Sequence, residues 1–207
     1  MFRELTPAVR VLLLANCAVF GVMLLLPQLD LDGFALWSLV GDGAPDTPSF
    51  EPWQLVTYAF LHEGWLHLLT NMWALYMFGP GCERILGSQR FWIYYFVCVV
   101  GAGLVQLVVT GYVRPTPGAT IGASGGIFGL LLLFGLARPH DRIMLLVPPI
   151  PMPVWVFVTL YGVLELTLGV TGSQQGVAHF AHLGGMAAGY LLILFWRWQR
   201  RRAPPRY

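Results

Sequence analysis

Apolar residues do not alternate singly along this chain; they gather into six blocks separated by short segments rich in proline, glycine and charge. The blocks fall at residues 9–26, 62–78, 91–112, 124–137, 151–169 and 177–198. Runs this long and this apolar predict spanning helices rather than the half-buried helices of a soluble core. Crossing about 30 Å of hydrocarbon takes about 20 residues, so the fourth block is short. A short helix is tolerated where its end is buried in protein or meets a water-filled cavity. The first block imitates the core of a signal peptide, but it is longer and no clean small-x-small cleavage site follows, so a retained helix is expected. The expected architecture is all-α and polytopic: a six-helix bundle in one domain over residues 1–198, with 199–207 as a short basic tail.

Composition agrees with the pattern. Of 207 residues 57% are hydrophobic and only 11% charged, less than half the charged share of a typical soluble domain. The net charge of +2 calls for no nucleic-acid partner, and its distribution is more informative than its sum. No lysine is present. Arg3 and Arg10 precede the first block, Arg84 and Arg90 follow the second, and Arg138 and Arg142 follow the fourth. Arg197, Arg200, Arg201, Arg202 and Arg206 end the chain, and only Arg114 falls in the opposite set of loops. The first loop instead carries Asp30, Asp32, Asp42, Asp46 and Glu51. By the positive-inside rule both termini are cytoplasmic. The arginine-rich end is an anchor at that face and a surface for anionic lipid. Cys17, Cys82 and Cys98 are odd in number and lack metal spacing, so they are expected to pack rather than pair.

With that topology, the second, fourth and sixth blocks all begin at the outer face. Their first turns hold His62, His67, Asn71, Ser124, His179 and His182, so these polar groups share one depth. Polar groups at membrane depth are costly and mark functional sites. Ser124 sits in Gly122-Ala-Ser-Gly-Gly126, a literal G-x-S-x-G. The nucleophile elbow of soluble hydrolases needs a strand before that serine, whereas "RPTPGAT" here is a loop. A small-residue helix interface remains the simpler reading of the glycines alone. His182, in "AHFAHLGGMAAG", strengthens the chemical reading. Gly185 and Gly189 are four apart and define a close-packing face, with His182 three residues before Gly185 on or near it. If that face meets the start of the fourth block, an imidazole reaches the hydroxyl, as a serine nucleophile requires. His67 and Asn71, at i and i+4, point the same way and can donate to an oxyanion beside the Ser124 N–H. His62 lies about 140° round the helix from His67 and is expected to tie down the outer loop.

Two features admit other readings. His62, His67, His179 and His182 with Glu63 or Glu165 contain nitrogen and carboxylate ligand types. No H-E-x-x-H is present, however, and a metal leaves the glycines round Ser124 unexplained; no metal and no cofactor are expected. Glu165 is the one acid inside a spanning run. An interfacial carboxylate reaching for water is the simpler expectation, and orienting a histidine the other.

At these residues the sequence resembles the rhomboid intramembrane serine proteases. Three segments match in order across residues 52–191: "PWQLVTYAFLHEGWLHLLTNMWALYMFG", "GASGGIFG" and "AHLGGMAAG". The resemblance implies a Ser124–His182 dyad without an aspartate, and an oxyanion site made by His67, Asn71 and the Ser124 N–H. It implies that Phe128 replaces a tyrosine that often stacks on the histidine, and that Glu83 braces the fold near the inner end of the second helix. The outer loop lacks the Trp-Arg pair of many relatives. Substrates would be single-span or polytopic membrane proteins within the lipid bilayer, at a site opening outward from a bacterial inner membrane; the oligomeric state stays open. The alternative is an inactive relative that binds membrane helices without cutting them. A small transporter would show inverted repeats, and none is evident.

Overall fold

A computed structural model describes residues 4–41, 48–144, 150–172 and 178–202. Asp42, Asp46, Arg3, Arg206 and the expected start of the last span at Val177 lie outside the described residues. The chain is helical in all six apolar blocks. In order these are α1 (Pro7–Leu25), a short outer helix α2 (Gln54–Thr57), α3 (Trp65–Leu86), α4 (Ser88–Val108), α5 (Ser124–Ala137), α6 (Val154–Thr171) and α7 (His179–Arg202). Two small antiparallel pairs join them: β1 (Leu36–Trp37) with β2 (Ala119–Thr120), and β3 (Arg142–Met144) with β4 (Pro151–Pro153).

Among the described residues four helices, α1, α4, α6 and α7, are long and apolar enough to cross a membrane. α5 is apolar but has 14 residues, a length of about 21 Å at 1.5 Å per residue. Ten of those 14 are buried, so most of α5 is wrapped by the bundle, where a short helix is tolerated, while Leu136 near its C-terminal end is exposed. α4 and α7 flank it, α3 closes a third side, and α1 lies outside α3. α6 and its neighbours α5 and α7 complete the bundle.

α3 departs from its expected end at residue 78. It runs through Pro80 to Leu86 and stops at Gly87, whose φ of 75° lets the chain turn directly into α4. A proline inside a helix removes one hydrogen bond and kinks the axis, a cost that membrane helices absorb through neighbouring contacts. The extension is what anchors α1. A Cβ at Gly79 would stand 2.8 Å from Val9 Cγ2, so α1 crosses α3 at this glycine. One turn on, Glu83 accepts hydrogen bonds from the backbone N–H groups of Ala8 and Val9, at 3.1 and 3.0 Å, and from the Ser88 hydroxyl at 2.6 Å. Pro7 opens α1 and has no N–H to satisfy, and Thr6 makes no side-chain cap. A carboxylate from another helix therefore caps α1 where its own sequence does not, beside the positive end of its dipole. The bracing role implied for Glu83 has this physical form.

The outer loop is built round Gln54, fully buried at the start of α2. Its Oε1 accepts from the Trp37 N–H at 3.1 Å, and its Nε2 donates to the carbonyls of Gly33 and Ser49. The β1–β2 pair then ties this loop to residues 119–120, just upstream of Ser124. Arg114, the lone arginine on its side, donates to the carbonyls of Gly169 at 2.7 Å and Val170 at 2.5 Å. It thereby caps the C-terminal end of α6, where a cation suits the helix dipole.

Replacing Glu83 with alanine strands two buried N–H groups at the start of α1. We expect a loss of about 3 kcal/mol in stability, read as a lower thermal midpoint by circular dichroism, while Ser88→Ala costs about 1 kcal/mol.

Candidate active site

Ser124 is the first residue of α5. The first N–H groups of a helix have no partner within it and carry the positive end of its dipole, so the serine lies beside backbone donors suited to a developing anion. The chain reaches this position through Gly122, whose φ of 121° favours glycine and whose N–H donates to the Tyr58 carbonyl at 2.9 Å. A Cβ there would also stand 2.6 Å from His67 Nε2. Gly122 therefore permits both the turn and the close approach of His67.

The approach of α7 to α5 is set by glycines. A Cβ at Gly185 would collide with the carbonyl oxygen of Gly125, and one at Gly129 would lie 3.2 Å from the Gly185 carbonyl. This backbone-to-backbone contact brings His182 Nε2 to 2.8 Å from Ser124 Oγ. Gly189, expected on the same contact, faces α4 instead: a Cβ there would meet the Tyr94 hydroxyl, with Cys98 Sγ at 2.9 Å. Gly185 and Gly189 stand one turn apart on α7, the first against α5 and the second against α4.

Phe128 stacks on the His182 ring, with centroids 4.2 Å apart and planes at 6°. The stack continues through Tyr161 and Phe157 to Phe78, each pair nearly parallel at 5.3 to 6.3 Å. This column joins α7, α5, α6 and α3 and fixes the plane of the imidazole. Phe128 on His182 is the stack that the resemblance implied; its continuation through Tyr161, Phe157 and Phe78 was not anticipated, and the i, i+4 spacing of Phe157, Tyr161 and Glu165 was its available signal.

Glu165 overturns the simpler expectation for it. It is not an interfacial carboxylate reaching water but is buried, at 5% exposure. Its Oε2 lies 2.9 Å from His182 Nδ1 and 2.7 Å from His179 Nδ1. The resemblance implied no aspartate here, and the carboxylate that stands behind the histidine is a glutamate from α6. His179, from the same turn of α7 as His182, is buried with it.

His67, from α3, lies against Gly122, where a Cβ would stand 2.6 Å from His67 Nε2 and 3.8 Å from Ser124 Oγ. Asn71 shares its face and is mostly buried, with its Nδ2 donating to the His67 carbonyl at 2.8 Å; that nitrogen carries a second hydrogen. His62, in the loop before α3, is fully buried and packs edge-on against His67, centroids 5.0 Å apart. It backs His67 and does not touch Ser124. An apolar cavity of about 380 Å³ lies away from these groups, lined by Ala18, Val22, Phe34, Thr57 and Phe60; it holds no titratable side chain.

The sequence model of the Rhomboid domain matches residues 49–199, which include every group just described. The chain belongs to the rhomboid family. It is 31% identical over 152 residues to Rhomboid-like protein 11, chloroplastic, of Arabidopsis thaliana, covering 70% of this chain and 53% of that one. It is 33% identical over 138 residues to Rhomboid protein 1, mitochondrial, of Saccharomyces cerevisiae, covering 66% and 40%. It is 30% identical over 140 residues to Rhomboid protease GluP of Bacillus subtilis, covering 68% and 25%. The chain thus spans about half the length of the first of these rhomboid relatives and less of the others.

Two substitutions test this construction of the rhomboid site. Gly185→Ala pushes a methyl into the Gly125 carbonyl and should cost about 1–3 kcal/mol of stability, seen as a lower unfolding midpoint. Gly122→Ala forces φ strain and displaces His67; it should leave the helix content by circular dichroism unchanged while slowing covalent labelling of Ser124 by a fluorophosphonate about tenfold or more, the scale of a lost anion donor.

Proposed function

We propose that this rhomboid is an intramembrane serine endopeptidase that cuts membrane-protein segments with Ser124 as nucleophile and His182 as general base. The 2.8 Å contact between His182 Nε2 and Ser124 Oγ carries the reading. A hydroxyl is a weak nucleophile unless a base at hydrogen-bonding distance takes its proton. His182 removes the Oγ proton as the oxygen attacks the peptide carbonyl. The oxyanion is held by the N–H groups opening α5, with His67 and Asn71 as side-chain donors. His182 then protonates the leaving amine, and water releases the acyl-enzyme through the same base.

The arginine distribution supports cytoplasmic termini, so the start of α5 and the site open outward, in an inner membrane if the source is bacterial. Water reaches the serine from that side. The substrate is a single-span or polytopic membrane protein whose helix must unwind locally, since a backbone bonded within a helix has no carbonyl to offer. Helix-breaking residues near the cut favour that step, and the glycine-lined approach favours a small residue before it.

The deciding experiment is cleavage of a single-span reporter by the purified chain in lipid vesicles. Ser124→Ala should abolish cleavage by about 10⁴-fold or more, and His67→Ala should lower it by about 10²-fold. Binding of the reporter without any cleavage by the unaltered chain sinks the reading in favour of a non-catalytic helix binder.

A further inference from the structure

We propose that Glu165 is a positioning acid for His182, so that the site is a Ser124–His182–Glu165 triad whose carboxylate is itself held by His179. This rests on the serine-protease reading of the same site and adds a glutamate to the Ser124–His182 dyad implied by resemblance.

The hydrogen-bond inventory fixes the arrangement of protons. An ionised carboxylate only accepts, so the two nitrogens close to Glu165 Oε2, His182 Nδ1 at 2.9 Å and His179 Nδ1 at 2.7 Å, each carry a hydrogen. In neutral His182 the lone pair is then on Nε2, aimed at the Ser124 hydroxyl 2.8 Å away. That is the tautomer a general base needs, assigned here by the bonding partners. During attack the Oγ–H bond breaks and an Nε2–H bond forms. The Nδ1–H stays in place, and the positive charge that appears on the ring is matched by the carboxylate behind it. Both groups are buried, at 9% and 5% exposure, where the attraction is less screened than in water.

Packing holds the acid in register. Glu165 lies one turn beyond Tyr161 on α6, and Tyr161 stacks on Phe128, which stacks on His182. One face of α6 thus supplies both the ring column and the carboxylate. His179, three residues before His182 on α7, donates to the same oxygen and restrains it from the other side.

The same three side chains form a ligand set of the kind that binds zinc. Ligand atoms at 2.0–2.2 Å round a tetrahedral ion stand about 3.3 Å apart. The spacings of 2.7 and 2.9 Å are those of shared protons.

The test uses the full chain in lipid with the reporter, all rates expressed per active site titrated by a fluorophosphonate. Glu165→Gln keeps the volume and removes the charge; kcat should fall by about 10²-fold or more, with KM within about twofold. His179→Phe should lower kcat by less than tenfold, because His182 keeps its acceptor. Nitrogen-15 NMR of the Ser124→Ala chain, which needs neither turnover nor an altered Glu165, should show a downfield Nδ1 proton on His182. Glu165→Gln with kcat per titrated site within about threefold of the parent overturns the proposal, as does a His182 carrying its proton on Nε2 in that spectrum. Loss of parent activity to a chelator, with recovery on adding zinc, overturns it in favour of a metal centre. Cleavage that survives Ser124→Ala is a separate result and removes the serine-protease reading beneath it.

Discussion

The collision that any side chain at Gly185 would have with the carbonyl of Gly125 is the constraint on which the site depends. Two backbones come into direct contact there, and only then can the imidazole from α7 span to the hydroxyl at the head of α5. No other element could compensate for a wider separation, because the reach of a histidine side chain is fixed. In lipid the surrounding tails are as apolar as leucine, so close packing and hydrogen bonds rather than water exclusion hold helices together. Small residues at 125, 129 and 185 are therefore both the adhesive of the bundle and the condition for the Ser124–His182 contact.

Other parts of the structure keep that contact from shifting. α5 is the most enclosed of the described helices, with ten of its 14 residues buried, and the serine at its head inherits that rigidity. The segment leading into it is fastened twice, by β1–β2 and by the Gly122 N–H on the Tyr58 carbonyl. Tyr58 in turn donates to the Val99 carbonyl at 2.8 Å, and Tyr94 to the Gly129 carbonyl at 2.9 Å. The side chains of α2's neighbourhood and of α4 thus reach unused or shared backbone acceptors of the core. Far from the site, Glu83 caps α1 and fixes the start of the bundle. Polar groups are few in this chain, and those inside it are mostly engaged with backbone.

α6 plays a distinct part. It offers a single face, Phe157, Tyr161 and Glu165, that meets His182 through stacked rings and a hydrogen-bonding carboxylate. Its outer end is capped by Arg114, the arginine that stands apart from the others in the distribution of charge. A residue that looks anomalous in a topology count thereby has a local electrostatic task, satisfying the carbonyls at the end of a helix.

Hydropathy alone determined that six blocks become helices, because apolar runs of that length have no other way to satisfy their backbone in lipid. The glycine-flanked Ser124 and the His182 face were equally legible, since helical spacing decides which residues share a side. Glycine-rich faces could be matched in principle, but not the exact partner of each residue. Gly189 meets α4 because helices cross at an angle, which no single-helix pattern contains. α3 runs past its apolar block for a similar reason: the helix continues through Pro80 to Leu86, where Gly79 packs against Val9 of α1 and Glu83 caps that helix. Glu165 shows the limit most clearly. A lone carboxylate in an apolar run reads as a group seeking water, and its real partners are two histidines 14 and 17 residues away on another helix. Whether a buried charge is a liability or a tool depends on what stands within 3 Å of it, and only the tertiary structure decides that.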